Sequence, residues 1–195
     1  MEFTAVTNRK FGVEIEFAGN RDAVIRAVRD SGITVDYVGY HHRVMQSWKV
    51  VSDSSCGWEM VSPILQGEDG LYELETVLEA MTQGGARITR STGVHVHLDA
   101  SDLTRLDVMH IVKRYAENES TIDSWMPRSR RGDNNTYCRS VSRMANRLDL
   151  QREGMARTAA CVTSKFYKVN TTHLNGYGTI EFRQHGGSTD FAKVG

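Results

Sequence analysis

Residues 11–18 read FGVEIEFA, and apolar and polar side chains alternate along this stretch. A period of two is typical of a β-strand that turns one face to a core. The opposite face then carries Glu14 and Glu16, about 7 Å apart along the strand. This pair forms either the polar face of an exposed antiparallel sheet or part of a cation site, and the other strands must decide.

A second alternating stretch is GVHVHLD, residues 93–99. It places His95, His97 and Asp99 on one face and valine or leucine on the other. A lone strand histidine is usually a satisfied core or surface residue. Two imidazoles with a carboxylate at this spacing instead favour contact with a metal or a phosphate.

The third alternating stretch is TIEFRQH, residues 179–185. Its polar face carries Glu181, Arg183 and His185. A third strand thus offers a carboxylate, a guanidinium and an imidazole together.

Asp53 and Glu59 flank a turn within WKVVSDSSCGWEMVSPIL, residues 48–65. A carboxylate in apolar surroundings needs a partner charge or a cation, although a capping Asp and an ion-paired Glu would also explain the pair. Carboxylates outnumber histidines in the whole set. The set therefore suits magnesium or manganese better than zinc.

An arginine-rich stretch follows the central helix. Magnesium beside guanidiniums is what a nucleoside triphosphate requires, because the cation bridges phosphate oxygens while arginines neutralise the transferred charge. A solvated loop is the alternative. The sequence has neither a P-loop nor a G-x-G-x-x-G turn, so phosphate binding through those folds is unsupported. The candidate clamp consists of Arg128, Arg130, Arg131 and Arg139.

Length and charge limit the class of protein. The 195 residues suit one domain, and 24 Lys plus Arg balance 24 Asp plus Glu, so net charge draws the chain neither to nucleic acid nor to a membrane. A secretory signal and an apolar run of membrane-spanning length are absent. The three cysteines are widely spaced and odd in number, so we expect a cytoplasmic protein without a disulfide framework.

Hydrophobic periodicity predicts several helices among the strands. One spans Arg21 to Asp30 after Asn20 as N-cap, and one carries Leu71 to Met81 and ends at Gly84. Ser101 is expected to cap a third, which reaches Trp125. The mixture without a regular βαβ rhythm predicts an α+β fold with a mostly antiparallel sheet. Further strands are expected at residues 34–40, 46–52, 57–62 and 168–171.

Five segments in this order resemble the amidoligase family, which is similar in turn to glutamine synthetase and glutamate-cysteine ligase. The resemblance spans about residues 10–193 and rests on the ordered series rather than on any single motif. The segments are FGVEIEF, WKVVSDSSCGWEMVSPIL, STGVHVHLD, MPRSRRGDNNTYC and KVNTTHLNGYGTIEFRQHGG.

The resemblance implies a single glutamine-synthetase-like catalytic domain over residues 1–195. Its curved, mostly antiparallel sheet would form a funnel with helices on the outer face. The funnel would hold ATP and two or three magnesium ions, with manganese as an alternative. ATP would phosphorylate a carboxylate, and an amine would displace phosphate to form an amide. The substrates would be small molecules or peptides. Related synthetases often assemble into homo-oligomers, and the oligomeric state of this chain is open.

The resemblance also implies roles for individual residues. His97 is taken as a metal ligand and His95 as a nucleotide contact, although the reverse assignment fits equally well. Asp53 would face metal or amine and could accept the amine proton, and Arg183 would stabilise the transferred phosphoryl group. The acidic metal ligands would be Glu14, Glu16, Glu59 and Glu181.

One departure from the family and two other functions remain open. The family continues through a helical region after FRQHGG, whereas this chain stops at Gly195, so we expect a trimmed chain or a minimal member. A metal-dependent hydrolase would use the same histidines and carboxylates without ATP. A catalytically silent binding module would retain only the fold. Substrate recognition is expected in loops at residues 40–46 and 134–139.

Overall fold

The computed structural model describes residues 8–39, 41, 43–145 and 164–195. Helices and strands are mixed in an irregular order, and the strand pairing is mostly antiparallel. The strands are β1 (Lys10–Phe17), β2 (Val35–Tyr37), β3 (Trp48–Asp53), β4 (Gly57–Val61), β5 (Leu65–Gln66), β6 (Gly93–Asp99), β7 (Val169–Asn170) and β8 (Thr179–Gly186). The helices are α1 (Arg21–Asp30), α2 (Gly67–Gln83), α3 (Arg105–Trp125), α4 (Ser142–Ala145) and α5 (Phe191–Val194), with 3-10 turns at Arg128–Arg130 and Thr172–Asn175.

These elements confirm the α+β class and the mostly antiparallel sheet. The glutamine-synthetase-like funnel stays a prediction. The described residues form two compact units, one containing those up to Val96 together with Gly186–Gly195, the other those within His97–His185. Strand β6 begins in the first unit and ends in the second. The single domain over residues 1–195 also stays a prediction.

In the first unit, β1 lies between β4 and β6, and β5 also pairs with β1. The predicted apolar face of β1 is confirmed, because Val13, Ile15 and Phe17 are all at most 2% exposed. Across the antiparallel partner β4, Glu16 is opposite Glu59. The strands of this unit run in the order β2, β3, β4, β1 and β6, with β2 and β3 parallel.

Helix α1 covers the apolar face of this sheet. Asn20 is its N-cap, and the Asn20 carboxamide oxygen accepts from the backbone N–H groups of Asp22 and Ala23. Val24 and Val28 are fully buried in the core that contains Ile15. Each such side chain stabilises the fold by about 1.5–3 kcal/mol.

Helix α2 packs against α1 and supplies Leu74, Leu78 and Met81 to the same core. At Gly84, where α2 ends, a Cβ atom would come within 2.6 Å of the Cα of Val24. The two helices can approach this closely only because residue 84 is glycine.

In the second unit, α3 has Thr104 as its N-cap. The Thr104 hydroxyl accepts from the backbone N–H of Asp107, and the Asp107 carboxylate accepts from the backbone N–H of Thr104. The prediction that Ser101 caps this helix is wrong. The reciprocal hydrogen bonds of Thr104 and Asp107 show that the N-cap lies three residues later. The predicted end at Trp125 is confirmed. A small core joins α3, β7 and β8 through Val112, Val169 and Ile180.

Within the described ranges, the helices are all too short or too polar to cross a membrane. Some sequence predictions fall outside these ranges. They concern Tyr40 in the predicted recognition loop, Asn146 and Arg147 at the end of the arginine-rich stretch, and Cys161.

Candidate functional site

A cluster of carboxylates around one histidine lies on the face of the first unit's sheet opposite the helices. Glu14 and Glu16 reach it from β1, and Glu59 reaches it from β4 beside Glu16. His95 is contributed by β6 and is 3% exposed. We call Glu14, Glu16, Glu59 and His95 the first cluster.

Both ring nitrogens of His95 face carboxylates. Its Nδ1 lies 3.1 Å from Glu14 Oε2 and 3.9 Å from Glu59 Oε1, and its Nε2 lies 3.6 Å from Glu16 Oε1. A neutral imidazole can donate at one ring nitrogen and accept, or bind a metal, at the other. Three carboxylates around this ring concentrate negative charge, so the arrangement suits a cation among them.

The backbone also fixes Glu16. The N–H of Gly93 donates to Glu16 Oε2 over 2.6 Å, and Glu16 is 7% exposed. A buried carboxylate held by a backbone donor keeps one rotamer and leaves its other oxygen facing His95. The backbone of β6 thus fixes the position of the Glu16 carboxylate.

The first cluster has the donor composition of a divalent-cation site. Glu14, Glu59 and His95 each offer one ligand atom, and these atoms lie within 4.8 Å of one another. Oxygen donors are in the majority, which suits magnesium or manganese. His95, predicted as a nucleotide contact, thus lies among predicted metal ligands.

Lys49 on β3 was missed by the sequence analysis. It is 4% exposed, and its Nζ donates to the carbonyl of Arg43 over 2.6 Å. Burial lowers the pKa of Lys49, and the charges of Glu14 and Glu59 partly oppose this effect. The alternation of WKVVSD, which puts Lys49 on the same face as Asp53, was the available signal.

Asp53 serves the turn between β3 and β4. Its Oδ1 accepts from the backbone N–H of Ser55 over 2.7 Å, from the Ser55 hydroxyl and from the backbone N–H of Cys56. Burial raises the pKa of Asp53, but these hydrogen bonds outweigh burial and hold it below its usual range. The capping alternative thus describes at least one oxygen of Asp53.

A second group of polar side chains lies within the second unit, around Glu181 on β8. Glu181 is 1% exposed, and its Oε1 accepts from the Arg183 guanidinium. Its Oε2 accepts from the Asn170 amide over 2.6 Å and lies 3.5 Å from His173 Nε2. His97 Nε2 is 3.9 Å from Glu181 Oε1. We call these five residues the second cluster.

Asn170 and His173 were not predicted, although both lie in the family-like segment KVNTTHLNGYGTIEFRQHGG. Asn170 is opposite Glu181 in the β7–β8 pair, and its Oδ1 accepts from the backbone N–H of Thr172 over 2.9 Å. One fully buried amide thus holds both Glu181 and the 3-10 turn that carries His173. Only strand register makes this link visible.

The arginines of the predicted clamp have different environments. Arg128 and Arg139 are exposed, whereas Arg130 is 3% exposed and its guanidinium donates to the carbonyl of Arg183 over 3.4 Å. The Nε of Arg131 donates to the carbonyl of Met126 over 2.7 Å, which closes the end of α3. Two of the four side chains therefore contact backbone, and the clamp stays a prediction.

A buried charge network in the second unit was also missed. Lys168 is fully buried, and its Nζ lies 2.6 Å from Glu119 Oε1 and 2.7 Å from Asp123 Oδ1. Nothing in the sequence singles out Lys168, because its carboxylate partners are more than 40 residues away.

Comparisons with known proteins agree with the ordered motifs. A family model described as "Putative amidoligase enzyme" matches residues 7–195. Neither the curated proteins nor the solved structures contain a significant match to the chain. The family match covers both clusters and the elements that carry them, and on this ground the chain belongs to the amidoligase family, whose name describes enzymes that act as ligases.

Proposed function

We propose that this amidoligase is an ATP- and magnesium-dependent ligase that joins a carboxylate to an amine. The observation that supports this most is the first cluster, where three carboxylates and His95 meet on one sheet face. Three carboxylates so close together repel one another, whereas they suit a cation that accompanies phosphate.

Glu14, Glu16, Glu59 and His95 would hold magnesium in the first unit. Their donor set fits the ion because oxygen ligands predominate and Gly93 keeps Glu16 in place. When bound, magnesium would lower the repulsion between the anionic carboxylate substrate and the triphosphate. The prediction that His97 and Glu181 also bind metal stays part of the proposal.

In the proposed reaction, a substrate carboxylate oxygen attacks the γ-phosphorus of ATP, and ADP leaves. The amine then attacks the acyl carbon, the C–O bond to phosphate breaks, and the nitrogen loses a proton. The products are the amide, ADP, inorganic phosphate and a proton.

Arg183 would stabilise the phosphoryl group during transfer. Its guanidinium is held by Glu181, whose other oxygen is held by Asn170. A pre-oriented guanidinium loses little freedom when charge develops on the phosphoryl oxygens, and this lowers the barrier. Asp53 as proton acceptor stays a prediction, with one of its oxygens already occupied by the turn.

Nucleotide binding tests the proposal first. MgATP affinity is measured by calorimetry for the wild type and for Glu14→Gln and Glu181→Gln, with Glu79→Gln as a control on the exposed side of α2. We expect binding that both site variants weaken and the control preserves. No MgATP binding by the wild type at millimolar nucleotide would refute the proposal.

The acyl phosphate is tested with isotopes. Carboxylates and amines, from amino acids to short peptides, are screened for ADP release, and an active carboxylate is then labelled with ¹⁸O. We expect one ¹⁸O atom in the released phosphate, because the amine attacks carbon and leaves the carboxylate oxygen on phosphorus. Released phosphate without ¹⁸O would exclude this route. Metal-dependent hydrolysis without ATP would instead support the hydrolase alternative.

A further inference from the structure

A polar network lies on the core face of β8, opposite the face that carries Glu181. Alternation along β8 places Ile180, Phe182 and Gln184 on this face, so an apolar residue would be expected at position 184. Gln184 is instead 3% exposed. A buried amide persists only where all its hydrogen-bonding groups find partners.

Gln184 finds these partners on two other elements, α3 and the 3-10 turn Arg128–Arg130. Its Nε2 donates to Asp123 Oδ1 and, over 3.1 Å, to the carbonyl of Arg130, and its Oε1 accepts from the Tyr115 hydroxyl. Asp123 is fixed in turn by the buried Lys168. Gln184 therefore ties the first turn of the arginine-rich segment to a rigid charge pair.

The same network anchors the rest of that segment. Asp123 Oδ2 accepts from the backbone N–H of Gly132 over 2.8 Å. Glu119 Oε2 accepts from the backbone N–H of Val141 over 3.1 Å. The N–H of Arg139 donates to the carbonyl of Phe166 over 2.7 Å. Residues 130–141 are thus held at intervals by one buried network and one backbone pair.

The network also reaches the candidate phosphoryl-binding arginine. Arg183 directly precedes Gln184, its N–H donates to the carbonyl of Lys168 over 2.8 Å, and its own carbonyl accepts from the Arg130 guanidinium. An apolar residue in place of a buried charge network is often as stable or more so. Stability alone therefore does not account for the network, whereas fixing the positions of Arg130 on its 3-10 turn and Arg183 on β8 does.

We propose that Gln184 is a positioning residue that holds Arg130 and Arg183 in the geometry needed to bind the triphosphate. This inference rests on the proposed function. An error of about 1 Å in placing a reacting group can cost about 100-fold in rate, so a tether of this kind affects chemistry without contacting substrate.

The test compares Gln184→Met with Tyr115→Phe. The first removes the donor to Arg130 at nearly constant volume, whereas the second removes a hydrogen bond of the same amide but leaves that donor in place. Amide hydrogen exchange is followed by mass spectrometry in both variants, together with MgATP affinity of the folded protein. We expect Gln184→Met to increase exchange selectively in residues 130–141 and to weaken MgATP binding about tenfold. Tyr115→Phe should do neither.

Three results would overturn the inference. They are equal effects in both variants, increased exchange throughout the chain with unchanged affinity of the folded fraction, or unchanged exchange in residues 130–141. If Gln184→Met does not fold, the wild type still decides, because Gly132 and Val141 must exchange slowly if the network anchors them. A wild type that protects this segment but binds no MgATP would refute the proposed function and leave the tether intact.

Discussion

Replacing Glu59 with glutamine should stabilise the ligand-free protein while weakening magnesium binding. In the first cluster, ligand oxygens of Glu14 and Glu59 lie no more than 4.8 Å apart. Two unit charges at that distance repel by about 3 kcal/mol at an effective dielectric constant of about 20. Solvent reaches the side chains of Glu14 and Glu59, which are 27% and 15% exposed, and screens this repulsion to about 1 kcal/mol.

The net gain from Glu59→Gln is therefore about 1 kcal/mol, which corresponds to a rise of about 2–4 °C in melting temperature for a chain of this size. Magnesium at 100 times its dissociation constant should stabilise the wild type by about 2.7 kcal/mol. A tenfold loss of affinity in the variant would reduce this stabilisation to about 1.4 kcal/mol at the same concentration.

Melting is followed by circular dichroism with EDTA and with a magnesium titration, for the wild type, Glu59→Gln and the exposed control Glu79→Gln. We expect the control to behave as the wild type under both conditions. A lower melting temperature of Glu59→Gln in EDTA would show that the carboxylate is a structural ion-pair partner. An unchanged magnesium response would show that it is not a ligand.

Three further predictions concern stability. Lys168→Met should lower the free energy of unfolding, measured by urea denaturation, by about 3–5 kcal/mol, because Glu119 and Asp123 lose their buried cation. Adding Glu119→Gln should restore part of this loss. Equal unfolding free energies for the single and the double variant would contradict the charge pairing. Thr104→Ala should lower the free energy of unfolding by about 1 kcal/mol and Ser101→Ala should leave it nearly unchanged, because Thr104 caps α3. The reverse order of stabilities in thermal melts would show that Ser101 is the cap. Asp53→Asn should destabilise the protein at neutral pH, because hydrogen bonds hold the pKa of Asp53 below its usual range. The difference in unfolding free energy from wild type should be full above the unfolded pKa near 4 and should disappear as pH falls through the folded pKa. A difference that persists at lower pH would exclude this linkage.

The strands that carry the chemistry can be located from the amino-acid sequence alone. The alternation of Val13, Ile15 and Phe17 with Glu14 and Glu16 requires only the two-residue period of a strand and a core on one side. Helices α1 and α2 followed in the same way from apolar periodicity, Asn20 and Gly84. The ordered motifs were sufficient for the family, because they are spread over nearly the whole chain.

Which charges contact one another depends on the packing of strands and helices that are distant in the sequence. His95 lies among Glu14, Glu16 and Glu59, and this follows from strand register, which a single sequence does not reveal. Gln184, like Lys168, has partners that lie far away along the chain, so its role became visible only once α3, β7 and β8 were packed together. Local patterns fix which face a side chain takes, whereas long-range pairing fixes what it touches.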